Sequence, residues 1–306
     1  MARRRSSFQT KSEYYLTRGI VGAIGVFPVK ISMKLGAGFG RFFQRFAGKL
    51  NQVGQKNLEI ALPDLSKNEK QKILEGCFES LGRQLGLFSH FRKLEAARML
   101  ELLEVEGLEH VTRAREAGRG ILFFTGHFGS WEIFALVTPA LGYKMNLLVR
   151  RIDNPLVEAF VESFRTSFGT RTIDKKTSAR TMFRLLQNGE LLGLMADLNV
   201  QEREGIFVDF FGVPASTMSA LARLALRTDA VVLPAFAVWH KEKEKYLLKI
   251  EPPLEFEKNA DNEQNIRDLT QKATNVIEHF VRQYPEQWMW IHKRWNTRPF
   301  SGKSFY

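Results

Sequence analysis

The chain has 306 residues, 44% of them hydrophobic and 25% charged, which fits one large α/β domain plus a terminal appendage and excludes bulk disorder. Its formal net charge of +12 points to an anionic partner: a membrane surface, an acidic protein or nucleic acid. The single cysteine, Cys77, excludes an intrachain disulfide framework and a cysteine-ligated zinc site.

Arg3, Arg4 and Arg5 precede an apolar run over residues 19–29. The run is shorter than the roughly 20 apolar residues a spanning helix needs, and no small-residue cleavage site follows it, so secretion is rejected. Pro28 suits the first turn of a helix. On that helix Lys30, Lys34, Arg41 and Arg45 fall within about 60° of one another, while Ile31, Leu35, Phe39, Phe42, Phe43 and Phe46 form a separate apolar face. A basic stripe beside a Phe-rich face describes an interfacial amphipathic helix. The competing reading is a surface helix that packs its Phe face on the core. Gly36, Gly38 and Gly40 follow no strand, so they read as close helix packing rather than a nucleotide loop.

Residues 67–117 read as helical, with Cys77 as an inert core thiol. The character then changes. Residues 120–125 form a short apolar run read as a buried strand, followed by a turn at 126–130 and a helix over 131–141. Further strands are predicted at 146–149, 191–195, 231–239 and 246–250, the last two across a charged tip at 241–245. Further helices are predicted at 155–168, 177–187, 219–227 and 265–283. This alternation implies an α/β fold, a mainly parallel central sheet covered by helices on both faces. The expected division is an amphipathic membrane-anchoring segment over 1–50 and the α/β domain over 51–306.

Ligands in open α/β sheets bind at the carboxyl ends of strands, and His127 lies just past one. Glu132 follows after four intervening residues. The two can meet if His127 sits in the turn and Glu132 in the first helical turn. The carboxylate would then hold one ring nitrogen and leave the other as a base. No G-x-S-x-G elbow, H-E-x-x-H or G-K-[ST] element is present, and the six histidines are scattered.

The segment Gly126-His127-Phe128-Gly129-Ser130-Trp131-Glu132 resembles the HX4E motif of bacterial lipid A late acyltransferases. Four further blocks resemble that family in order: Val149-Arg150-Arg151-Ile152-Asp153-Asn154-Pro155; Asp197 followed by the run from Gly205 to Gly212; Val232-Leu233-Pro234-Ala235; and the stretch from Pro285 to Pro299. Arg151 departs from the proline of better-known members, and the loop from Asn199 to Glu204 also differs.

The resemblance implies a glycerolipid-acyltransferase-like fold with no metal and no cofactor. It implies an acyl thioester donor, with acyl carrier protein as the partner, and a glycolipid acceptor at the cytoplasmic face of the inner membrane. On this basis His127 and Glu132 are expected to be catalytic, and Arg150 and Asp197 to bind substrate, Arg150 through acceptor phosphate. Alternatives are an acyltransferase for another glycolipid or a lysophospholipid, or a non-catalytic basic membrane-binding protein. No nucleic-acid-binding motif accompanies the positive charge.

Overall fold

The computed structural model describes residues 6–175, 179–257, 262–299 and 302–306. Arg3, Arg4 and Arg5, and the first two positions of the helix expected from 177, lie outside the described residues. Four helices come first: α1 (Ser7–Ile24), α2 (Val29–Gln44), α3 (Gly48–Ala61) and α4 (Lys67–Phe88). The α/β part follows as α5 (Ala96–Glu101), β1 (Leu103–Glu106), α6 (Leu108–Glu116), β2 (Ile121–Thr125), α7 (Phe134–Ala140), β3 (Met145–Val149), α8 (Pro155–Arg165), β4 (Arg171–Asp174), α9 (Ala179–Gln187) and β5 (Leu191–Met195). It closes with β6 (Gly205–Phe210), β7 (Val213–Met218), α10 (Ala220–Arg227), β8 (Val231–His240), β9 (Lys245–Ile250) and α11 (Asn262–Gln283).

Seven strands form one sheet in the order β1-β9-β8-β2-β5-β3-β4. The five from β8 to β4 are mutually parallel, while β9 runs antiparallel to β8 and pairs in parallel with β1. Successive side chains of a strand point to opposite faces. Accordingly, Leu122 and Phe124 of β2 join one buried cluster with α10 and α11, and Ile121 and Phe123 join the other with α6 and α7. Burial on both faces is why the central strands read as continuous apolar runs.

Three features depart from the expected elements. The helical reading of 67–117 is interrupted by β1, whose Leu-Glu-Val-Glu sequence is short and alternates polar with apolar at the sheet edge. β4 is an equally short edge strand. β6 and β7 form a separate hairpin closed by Phe211 and Gly212, both at positive φ as a two-residue primed turn requires.

The α2 helix packs on the rest of the chain through its small residues. It packs on α4 through Gly36 and Gly40, which meet Gly82 and the backbone of Phe78, while Gly86 lies against the Ser32 backbone. A Cβ at Gly36 would fall 2.1 Å from the Gly82 carbonyl oxygen, and one at Gly82 would fall 2.0 Å from the Gly36 carbonyl. The small residues therefore face inward and the Phe face stays exposed, with Phe43 alone of its rings set against a core ring, Phe78, at 6.5 Å between centroids. Phe42 and Phe46 are 54% and 71% exposed, and Ile31, Leu35, Phe39 and Phe43 are exposed with them. Asn154 docks α1: its side chain caps α8 by accepting from Leu156 N and Val157 N, and donates to Thr10 O (2.9 Å) and Glu13 Oε2 (2.8 Å).

Gly82→Ala is expected to lower stability by about 1–3 kcal/mol, because backbone rather than a flexible side chain blocks the added methyl. Gly38→Ala places its methyl where nothing lies within 4 Å and is expected to be neutral or to gain up to about 1 kcal/mol. Chemical denaturation followed by circular dichroism checks both. Equal midpoints for the two variants would contradict the close α2–α4 contact.

Candidate active site

Chain register builds the site. β2 and β5 are neighbours with Thr125 opposite Met195, and Ala196 N donates to Thr125 O at 2.9 Å. Two residues further along each strand, His127 and Asp197 therefore emerge side by side. Asp197 Oδ1 accepts from His127 Nδ1 at 2.8 Å, and Oδ2 accepts from the His127 backbone N–H at 2.7 Å. Trp288 Nε1–H, itself buried, donates to Oδ2 at 2.9 Å.

Burial alone would raise the Asp197 pKa. The adjacent His127 and the three N–H donors outweigh it and hold the carboxyl at about 2. Asp197 is therefore an anion at neutral pH and can only accept hydrogen bonds. It follows that Nδ1 of a neutral His127 must carry the proton and Nε2 the lone pair.

The His127 loop is fixed from behind. Gly129 is at φ +53° and a Cβ there would fall 1.9 Å from the Ala237 carbonyl, so glycine is required. Gly129 N donates to Gln287 O, Ser130 N to Ala237 O, and Met289 N to His127 O. The C-terminal stretch from Pro285 to Pro299 is thus a packed backing to the site, with Trp288, Trp290, Arg294 and Trp295 fully buried. Arg294 donates to Ser216 O and Thr217 Oγ1, and burial lowers its pKa to about 10, which leaves it cationic at neutral pH. His292 accepts from Asn199 N at 3.2 Å, and burial depresses its pKa to about 4, so it stays neutral.

Beside His127 the Trp131 ring lies with centroids 5.0 Å apart. Trp131, Glu132 and Arg165 line an apolar cavity together with Phe123, Phe134, Met145, Leu147, Leu148 and Leu194. The cavity holds about 40 Å³, room for roughly one or two water-sized groups, so a longer occupant must part flexible side chains such as Met145.

A family model for bacterial lipid A biosynthesis acyltransferases matches residues 1–297. The chain belongs to that family. Membership makes it an O-acyltransferase. Its relatives include the lipid A biosynthesis lauroyltransferase of Escherichia coli (strain K12), 28% identical over 96% of this chain and 95% of that protein. The lipid A biosynthesis palmitoleoyltransferase of the same organism is 26% identical over 96% and 95%. A lipid A biosynthesis acyltransferase of Haemophilus influenzae is 24% identical over 91% and 86%. Among solved structures, a 1-acyl-sn-glycerophosphate acyltransferase from Thermotoga maritima covers 85% of this chain and is itself covered over 99%, at 16% identity and a TM-score of 0.38.

Against this geometry, one expectation of the HX4E reading is corrected. The His127 ring is held by Asp197, not by Glu132. Glu132 follows the turn into a single 3-10 turn and pairs in bidentate fashion with Arg165 of α8, Oε2 to Nε at 2.8 Å and Oε1 to Nη2 at 2.5 Å. Asp197, expected at the substrate, is 2% exposed and commits both oxygens to His127 and Trp288. Arg150 is exposed and pairs with Asp153 at 3.0 Å. Sequence reading missed Trp288 and Arg165 as partners of the site. The one signal for Asp197 is its place two residues past a strand end, matching His127, but strand order is needed to use it.

Asp197→Asn is expected to cut acyl transfer on the order of 10²–10⁴-fold, because the amide NH2 facing Nδ1 would favour the wrong imidazole tautomer. Glu132→Gln, which leaves that contact intact, is expected to lose less. The depressed carboxyl pKa also makes a stability claim. Asp197 is more acidic folded than unfolded, so its contribution is complete above about pH 4 and is lost as pH falls toward about 2. The unfolding free-energy gap between wild type and Asp197→Asn should therefore narrow as pH falls from about 4 toward about 2. A larger activity loss in Glu132→Gln would reverse the assignment.

Proposed function

We propose that this chain moves a fatty acyl group from an acyl thioester to a hydroxyl of a phosphorylated lipid A precursor. The observation that carries the proposal is the Asp197-held His127 ring, packed against Trp131, which lines an apolar cavity reaching the carboxyl ends of β2, β3 and β5. His127 Nε2 takes the acceptor's hydroxyl proton as the oxygen attacks the thioester carbonyl. The C–O bond forms, the C–S bond breaks, and the leaving thiolate recovers the proton from the imidazolium. Asp197 stabilises the transient imidazolium as a fixed neighbouring anion. Because a thiolate leaves readily, no covalent enzyme intermediate is required.

The apolar cavity receives the acyl chain, and the Glu132–Arg165 pair forms its charged lining, close to the reacting carbonyl. Arg150 exchanges Asp153 for an acceptor phosphate, which suits a guanidinium able to donate two parallel hydrogen bonds. The donor is acyl carrier protein, an acidic partner attracted by a chain of net charge +12.

The reaction takes place at the cytoplasmic face of the inner membrane, with residues 1–50 as the anchoring segment. None of the described helices is long and apolar enough to cross a bilayer. The anchor instead lies on the surface through two exposed stripes: Phe8, Tyr15, Leu16 and Val26 along and just past α1, and the Phe face of α2.

Purified protein should be given a carrier-protein thioester and a coenzyme A thioester at equal concentration, with a phosphorylated glycolipid acceptor, and the products read by mass spectrometry. The carrier donor is expected to be preferred, with the preference shrinking as salt rises. Gly193→Leu projects into the cavity, since a Cβ there falls 2.5 Å from Met145 Cε, and should shift use toward shorter chains. Absence of acylated glycolipid with either donor would overturn the proposal.

A further inference from the structure

A second cavity lies apart from the catalytic one. It is a groove of about 350 Å³ between α2, α4 and the β8–β9 tip, and it shares no lining residue with the apolar cavity. Five cationic side chains line it, Lys30, Lys34, Arg41, Arg83 and Lys241, against two carboxylates, Glu79 and Glu244. Its floor is built rather than incidental. The Arg83 side chain is 12% exposed, hydrogen-bonded to Glu79, and its guanidinium lies 4.7 Å from the Trp239 ring centroid. Arg41 approaches Glu79 only to 3.8 Å, and Lys34 reaches Glu244 at 2.7 Å with both side chains well exposed.

The groove's position gives its excess charge a meaning. Lys30, Lys34 and Arg41 form the basic flank of α2, and the neighbouring flank is the exposed Phe stripe. An apolar stripe entering the acyl region of a bilayer would set this groove at headgroup depth. Three excess positive charges at that depth need an anion, and Arg with Lys suits phosphate.

We propose that the groove binds the phosphate of an anionic phospholipid of the bilayer, as a headgroup site distinct from the acceptor site. The inference rests on the membrane-surface reading above. The site would fix the orientation of the carboxyl edge of the sheet relative to the lipid plane. Trp239 ties the groove to the His127 loop: its backbone N–H donates to Gln287 Oε1 at 2.7 Å, and Gln287 O accepts from Gly129 N.

The test is flotation of the full chain on three kinds of vesicle: neutral phosphatidylcholine, phosphatidylcholine with phosphatidylglycerol, and phosphatidylcholine carrying the same charge as fatty-acid carboxylate. Wild type is expected to bind all three, tightest where the charge is phosphate. Lys34→Gln/Arg41→Gln should bind phosphatidylglycerol vesicles about 30-fold more weakly, since each cation near an anionic surface is worth about fivefold. It should bind neutral vesicles within about twofold of wild type. The charge-matched control Lys144→Gln/Arg184→Gln, just before β3 and on α9, should lose little on any vesicle. The groove proposal fails, while the membrane reading stands, if the groove variant and the control lose equally, or if wild type does not distinguish phosphate from carboxylate. Failure of wild type to bind any vesicle would sink both.

Discussion

The candidate site is organised around one buried carboxylate. Asp197 is removed from water, which by itself would favour its neutral form. It stays charged because three N–H groups converge on it, two from His127 and one from Trp288. A buried charge without partners costs several kcal/mol, so the surrounding structure has to supply those donors in place. The β2–β5 register supplies His127, and the packed C-terminal segment supplies Trp288. Parts of the chain some 160 residues apart are held together around this group, and the His127 tautomer is the consequence that matters for chemistry.

The tryptophans of the C-terminal stretch serve the same arrangement. Trp288 both fills the core and donates to Asp197, and Trp290 donates to Pro285 O. Asn57 of α3 donates to the Trp290 and His292 carbonyls, tying the helical N-terminal part to this segment. The α2 helix belongs to the same construction by a different route. Glycine contacts bring it against α4, and that choice of inward face leaves its phenylalanines outside. A chain that spends its small residues on helix packing and exposes six large apolar ones on the other side presents a face suited to lipid.

Much of this was legible in the sequence, for physical reasons. The central strands are buried on both faces, so 120–125, 191–195 and 231–239 announce themselves as apolar runs. Edge strands β1 and β4 are half-solvated and four residues long, and they carry no such signal. The glycines at 36 and 40 read correctly as packing positions, whereas Gly38, in the same pattern, faces open space. At the site, His127 is evident from its place after β2. Its partner is not, because proximity in sequence favours Glu132 while proximity in space is set by strand order. A motif spacing gives a distance along the chain; only the sheet places residue 197 beside residue 127.

The central claim, that Asp197 fixes His127 as the Nδ1–H tautomer with Nε2 free to act as base, is most directly tested by nitrogen-15 NMR of histidine-labelled protein at neutral pH, with His127→Gln used to assign the signal. The account requires His127 to show a protonated Nδ1 and a pyridine-type Nε2, and the pattern to invert in Asp197→Asn. A wild-type His127 protonated at Nε2, or a pattern indifferent to Asp197→Asn, would contradict it.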